Sequence, residues 1–552
     1  MYRKTRFTQI ACLIAAFIVF STTLLTGCGA PAPIQATREI VVESTAVPLE
    51  MVAVTREVEV EAVYQARSTA PPPNDGPYPS TGGLVPPNDE PYADTFYEHY
   101  GVNPFIDTED DHLSTFAVDV DTASYTIMRR YLRDGYLPPK DSVRVEEYVN
   151  FFEQDYEPPA RRDGAFAMHL EGAPSRYGNE RHYLVRVGIK GYEIPPEARK
   201  DVNLTFVIDV SGSMSMENRL ALVKDALWML VEELRPTDRV GIVIYGSQGR
   251  VILEPTFVGD GKRHILRAID GLVAGGSTYA EEGLILGYRI AAEAFDPQVT
   301  NRVILCSDGV ANVGHTGPNS ILEQIRDYAD RGIYLTTVGF GMGNYNDVLM
   351  EQLANNGDGF YAYVDTLKEA ERVFVKDLTS TLQVIARDAK IQVDFNPAVV
   401  QSYRLIGYEN RDVADEDFRN DDVDAGEVGP GHSVTALYEI KFHAEASRRE
   451  PALTARVRYE DPDLGEVIEI ARSIAWENFA PSFKATSARF QWAAVVAEYA
   501  EILRESYWAR ESGLEDVLWE ARRVAEYLPH DEDVAEFVRL AEQANGIGLV
   551  NR

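Results

Sequence analysis

Apolar positions change their spacing several times along this chain, and each change marks a boundary. Between 201 and 386, apolar runs of strand length alternate with stretches whose apolar residues recur at helical spacing. "VNLTFVIDV", "RVGIVIYG", "VILEPTF", "NRVILCS", "IYLTTVGFG" and "GFYAYVD" read as strands. "ENRLALVKDALWMLVEEL", "AEEGLILGYRIAAEAF", "NSILEQIRDYADRG" and "NDVLMEQLANNG" read as helices, and a last helix fills 367–386. Continuous apolar strands with helices between them predict a parallel sheet covered on both faces, a doubly wound, Rossmann-like α/β domain.

The flanks follow other patterns. From 387 to 475, "AKIQVDFNP", "VVQSYRLIGY", "SVTALYEIKFH", "ALTARVRYED" and "EVIEIARSIAW" alternate with no helix between them, which predicts a β-sandwich-like region. An acidic loop, "DEDFRNDDVDAGEVGPG", interrupts it. From 476 to 552 the chain turns helical: Leu514, Val517, Leu518, Ala521, Val524, Ala525 and Leu528 keep the i, i+3, i+4, i+7 spacing, as do Val534, Phe537, Val538 and Ala541. These stripes are packing surface. Residues 96–200 form an α+β flank: "LSTFAVDVDTASYTIMRRYLRDGYLPP" reads as strand, cap and helix, "SVRVEEYVNFF" as a second helix, and "AFAMHLEGAP" and "HYLVRVGIKGY" as strands. Strands on both sides of the α/β domain suggest that 165–193 pairs with 388–475 and that the α/β domain is inserted between them. "VDVDTAS" has two acids of a phosphate-transferring aspartate loop, but Ala123 stands where that loop needs Thr or Val; Thr122 as a helix N-cap is the simpler reading.

The first 95 residues speak of address. Arg3, Lys4 and Arg6 precede "IACLIAAFIVF", an apolar run too short to span a bilayer comfortably, and "LLTGC" follows. This resembles a bacterial lipobox, which implies a signal peptide over 1–27 and lipid on Cys28. Residues 28–95 read as a Pro-rich tether with two pairs of crude repeats, "TREIVVE" with "TREVEVE" and "PPNDGPY" with "PPNDEPY". The expected location is extracytoplasmic, lipid-anchored to a bacterial cell membrane. Cys12 leaves with the signal and Cys28 takes the lipid, so Cys306 has no partner for a disulfide. The net charge is -34, and losing the three cations of the signal takes it to -37. That charge excludes nucleic acid as a partner, because phosphates demand Lys and Arg.

Ligands of doubly wound sheets bind outside the carboxyl ends of the strands. There the first strand delivers Asp209, Ser211 and Ser213, "AGGSTYAEEG" delivers Ser277 and Thr278, and "RVILCSDG" delivers Asp308. Two carboxylates and several hydroxyls suit a hard dication such as Mg²⁺ or Mn²⁺, with Gly212 permitting the first turn. The set resembles the metal-ion-dependent adhesion site of von Willebrand factor type A domains, whose pattern D-x-S-x-S, later Thr, later Asp is matched by Asp209, Ser211, Ser213, Thr278 and Asp308. The resemblance implies that these five hold the metal and that a protein ligand's exposed Asp or Glu completes its shell. "STFAVDVDTASYTIMRRYL", "VRVEEYVNFF" and "SYRLIGYENR" with "DAGEVGPGHSVTALYEI" also resemble the YfbK-like lipoproteins of that superfamily.

Three classes of function follow. The first is a tethered binding protein, not an enzyme. The second is an assembly or scaffold factor of a cell-envelope complex; the chain has no GxxxxGK[ST] loop of its own. The third is a hydrolase using Ser211 or Ser213, which needs a base; the nine histidines are scattered and only His315 falls near the site in sequence. We read the chain as the first.

Overall fold

The computed structural model describes residues 97–550 apart from 160–163, 178–181, 310–317, 342–346, 379–381, 422 and 424. The expected signal peptide, Cys28, the tether and His315 lie outside the described residues. The N-terminal flank carries β1 (Ile106–Asp107), β2 (Leu113–Ala117), α1 (Ala123–Arg133), α2 (Val145–Asn150), β3 (Phe166–Pro174) and β4 (His182–Gly191). The α/β domain follows with β5 (Val202–Asp209), α3 (Arg219–Glu233), β6 (Arg239–Tyr245), β7 (Arg250–Phe257), α4 (Val258–Asp270), α5 (Ala280–Glu293), β8 (Thr300–Ser307), α6 (Pro318–Ala329), β9 (Ile333–Phe340), α7 (Asp347–Asn355), β10 (Tyr361–Val364) and α8 (Leu367–Glu371).

The six strands of that domain lie in the order β10-β9-β8-β5-β6-β7. Five run parallel, and their side chains feed two cores by turns: Phe206 and Ile208 enter one, Val207 the other. Burial on both faces is why these strands are apolar without interruption. β7 is the exception. It pairs antiparallel with β6, because the four residues between them are too few for a crossover. It is an edge strand, and its exposure alternates. The helix α4 has no counterpart in the sequence reading; Gly259 and Gly261 in its first turn hide it, although Val258, Ile265 and Ile269 are buried.

β11 (Ala386–Phe395), β12 (Val400–Ile406), β13 (Gly426–Val428), β14 (Ser433–Phe442), β15 (Pro451–Asp461) and β16 (Glu466–Ala475) complete two antiparallel sheets. One has the order β1-β12-β14-β4-β3; the other runs β13-β11-β15-β16, with β2 beside β11. β14 pairs with β4 from Ser433↔Lys190 to Lys441↔His182. Strands from either side of the α/β domain thus share one sheet, and the two sheets enclose one core with Val185, Val187, Ile391, Val393, Tyr438 and Val457.

The helices α9 (Ala488–Leu503), α10 (Leu514–Ala525) and α11 (Glu532–Val550) close the chain. Their core is shared with α1 and α2: Tyr125, Met128, Leu132 and Phe152 pack with Trp492, Val517 and Phe537. At the start of α1, Thr122 holds the N-cap position but its side chain makes no capping bond. The carboxylate of Glu147 accepts from the Ser124 N–H at 2.7 Å instead. Asp121 Oδ1 accepts from the Tyr361 N–H at 2.9 Å. "VDVDTAS" is therefore an interdomain joint, with its acids spent on backbone and on Arg411.

Candidate metal-binding site at the carboxyl edge of the sheet

The acid that ends β5 is pulled fully inside: Asp209 has no exposed surface. Its Oδ1 accepts from the Ser211 N–H at 2.7 Å, folding the chain back directly after the strand. Ser307, the last residue of neighbouring β8, lies within hydrogen-bonding distance of Asp209 Oδ2 at 3.3 Å. A short turn over Gly212–Asn218 then brings Ser213 round, so that the Ser211 and Ser213 hydroxyls stand 2.9 Å apart.

Two backbone bonds tie the second loop to the first. Gly275 N–H donates to Val210 O at 2.7 Å and Gly212 N–H to Gly276 O at 3.0 Å. Thr278 follows two residues after this joint and is half-buried. Ser247, in the loop after β6, accepts from the Ser277 N–H at 3.1 Å and braces the same loop. The glycine the geometry demands is Gly276, at φ +100°, and not Gly212, which has no positive φ and where a Cβ would meet only Gly276 O at 3.4 Å. That corrects the expectation for Gly212.

The third loop leaves β8 with Asp308 beside Asp209. Burial pushes the Asp209 carboxyl up to about 6; hydrogen bonds from Ser211 and Ser307 work against this, and the charge of Asp308 adds to it. Asp308 meets Arg219, the first residue of α3, whose Nη1 donates to its Oδ2 at 2.7 Å. Sequence reasoning missed Arg219, Ser247 and Ser307. Ser307 adjoins Asp308 and Ser247 lies in "YGSQG", but neither pattern names its partner; Arg219 carries no sequence signal at all.

The donor set fits a hard dication. Asp209, Ser211, Ser213, Thr278 and Asp308 offer oxygen only, and of the two buried carboxylates Asp308 is paired with the Arg219 guanidinium. Among the described residues no group of three or more His, Cys, Asp or Glu side chains is placed to hold a metal, so any ion here depends on the hydroxyls. The same serines suit hydrolysis poorly. They bond each other, and no described histidine is among their hydrogen-bond partners.

Three family models match the chain: the C-terminal domain of the uncharacterized protein YfbK over 380–547, the von Willebrand factor type A domain over 203–379, and a von Willebrand factor model over 91–186. The uncharacterized protein YfbK of Escherichia coli (strain K12) is 36% identical over 474 residues, 82% of this chain and 81% of that protein. The uncharacterized protein sll0103 of Synechocystis is 25% identical over 300 residues, 53% of this chain and 69% of that protein. Among solved structures, a von Willebrand factor type A protein from Catenulispora acidiphila aligns with a TM-score of 0.41 and 15% identity, over 70% of this chain and 91% of its own. The ArnB paralog VWA2 from Sulfolobus acidocaldarius aligns at 0.35 and 16%, over 70% and 98%.

Proposed function

The chain belongs to the YfbK family of von Willebrand factor type A proteins, and from that premise we propose that it is a membrane-tethered binding protein rather than an enzyme. In this reading Asp209, Ser211, Ser213, Thr278 and Asp308 hold Mg²⁺ or Mn²⁺, and a protein ligand's Asp or Glu side chain enters through the remaining vertex. One observation carries the reading: two loops tied by the Gly275–Val210 and Gly212–Gly276 backbone bonds, and a third that brings Asp308, present oxygen donors beside two buried carboxylates, of which Asp308 is paired with Arg219. The ion would supply the positive spot that a strongly acidic chain otherwise lacks for an acidic partner. Tethering through Cys28 and an extracytoplasmic place belong to the same proposal and rest on the sequence of the first 28 residues.

The test is a calorimetric titration of Mg²⁺ and of Mn²⁺ into the full chain and into Asp209→Ala. Binding in the parent and none in the variant, with both folded in chelator, is the expected result. Absence of binding in the parent overturns the reading. A second reading, a scaffold in a cell-envelope complex, is favoured by the bonding of the type A domain to both flanks through Arg129 and Arg411. It predicts partner capture that chelator leaves unchanged.

A further inference from the structure

Arg219 stands where a metal site has no evident need of a cation. Its guanidinium and the Asp308 carboxylate are 2.7 Å apart, with Arg219 4% and Asp308 5% exposed. The backbone makes room for it. Gly341, just after β9, has φ +82°, and a Cβ there would stand 2.2 Å from Arg219 Nε. A buried guanidinium loses its hydration and stays only where a carboxylate and good geometry replace it. Asp209, by contrast, is held through hydrogen bonds from Ser211 and Ser307.

We propose that Arg219 is the resident counter-cation of the site: it neutralises Asp308 when no divalent ion is bound, and an incoming ion must compete with it. The inference rests on the metal-binding reading above. Without an ion, the pair keeps Asp308 from being a lone buried charge, so the type A domain folds whether or not metal is present. With an ion, Oδ2 of Asp308 remains committed to Arg219 and only Oδ1 is free to face the metal or its water. The guanidinium also repels the ion across a cluster shielded from solvent, where charges act more strongly than in water. Arg219 thereby holds the affinity down, and the site fills and empties with the surrounding ion concentration. Arg219 is a positioning residue; it acts on the ion through Asp308.

The experiment titrates Mg²⁺ and Mn²⁺ into the full chain, Arg219→Gln, Arg219→Lys, Asp308→Asn and the double variant Arg219→Gln/Asp308→Asn, and follows thermal unfolding of each in chelator. Arg219→Gln is expected to bind about tenfold tighter than the parent, as removal of a fixed charge from a buried cluster requires. It should also unfold at lower temperature in chelator and recover with ion, whereas Arg219→Lys stays near the parent in both. Binding by the parent together with equal or weaker binding by Arg219→Gln overturns this inference alone. No binding by the parent overturns the metal-binding reading, and the inference with it. If Arg219→Gln does not fold, the Asp308→Asn pair decides: the double variant must bind more tightly than Asp308→Asn, and the reverse order refutes the proposal.

Discussion

Gly276 carries a constraint that none of the five oxygen donors shares. Its φ of +100° lies in the region that residues with a Cβ avoid, and a Cβ would stand 2.6 Å from Ser247 Oγ and 3.2 Å from Ser247 N. Its carbonyl also takes the Gly212 N–H, the bond that holds the Ser277–Thr278 loop against the Asp209 turn. Gly276→Ala therefore combines backbone strain with a clash, about 1–3 kcal/mol in all. The strain is relieved most cheaply by opening the joint between the two loops. We expect Gly276→Ala to lose stability and to weaken Mg²⁺ binding together, while Gly212→Ala, with only an ordinary contact at 3.4 Å, changes both little. Thermal unfolding and calorimetric titration of the two variants side by side check this. Equal behaviour of the two glycines would show that the joint does not shape the site.

At the scale of elements, the cores ignore sequence order. Trp492 on α9 is fully buried and meets Phe152 edge-on at 5.5 Å and Phe537 of α11 at 5.2 Å. One aromatic cluster thus joins a residue just after α2 to two helices more than three hundred residues later. Trp492→Ala should remove about 3–5 kcal/mol, and hydrogen exchange should speed up in α1 as well as in α9 and α11. Exchange that changes only beyond residue 480 would show the C-terminal helices to be an independent unit. This coupling marks the limit of what the chain discloses by itself. The doubly wound sheet is legible because a strand buried on both faces must be apolar throughout, as "FVI" is. The donors at its edge are legible because polar oxygens in a fixed order interrupt that apolar run. Strand order points to 165–193 pairing with 388–475, but the individual partner, β14 for β4 or Trp492 for Phe152, leaves no local trace, since any apolar face would read the same. Arg219 is hidden for a related reason: a charged residue at a helix start reads as solvated surface until the fold buries it.

At the scale of the whole molecule, Arg411 is where the parts meet. It comes from the β region after β12, and its guanidinium reaches Asp119 at 2.9 Å and Asp121 at 3.3 Å in the N-terminal flank, and Glu351 of α7 in the type A domain at 3.0 Å. Arg129 makes a second such joint, from α1 to Asp365, Glu369 and Glu536. Burial, then the charge of Asp119, holds the Asp121 carboxyl well above the usual range even with Arg411 pulling it down. Arg411→Met would leave three buried carboxylates without that cation, and breaking a buried pair from one side costs about 3–5 kcal/mol. The sign of the pH dependence follows. Removing the cation raises the folded-state pKa of Asp121 further above its unfolded value, so the missing stability is greatest at pH 8. It returns as pH falls toward the unfolded carboxylate range, where the acids take up protons. Urea unfolding of parent and Arg411→Met at pH 8 and pH 4.5 should show the gap narrowing at the lower pH. The parent should unfold in one transition at pH 8, and the variant should release the type A domain to protease before the β sheets open. A gap independent of pH would mean that Arg411 acts through packing alone. A variant as stable as the parent at pH 8 would mean that the type A domain is held in place without it.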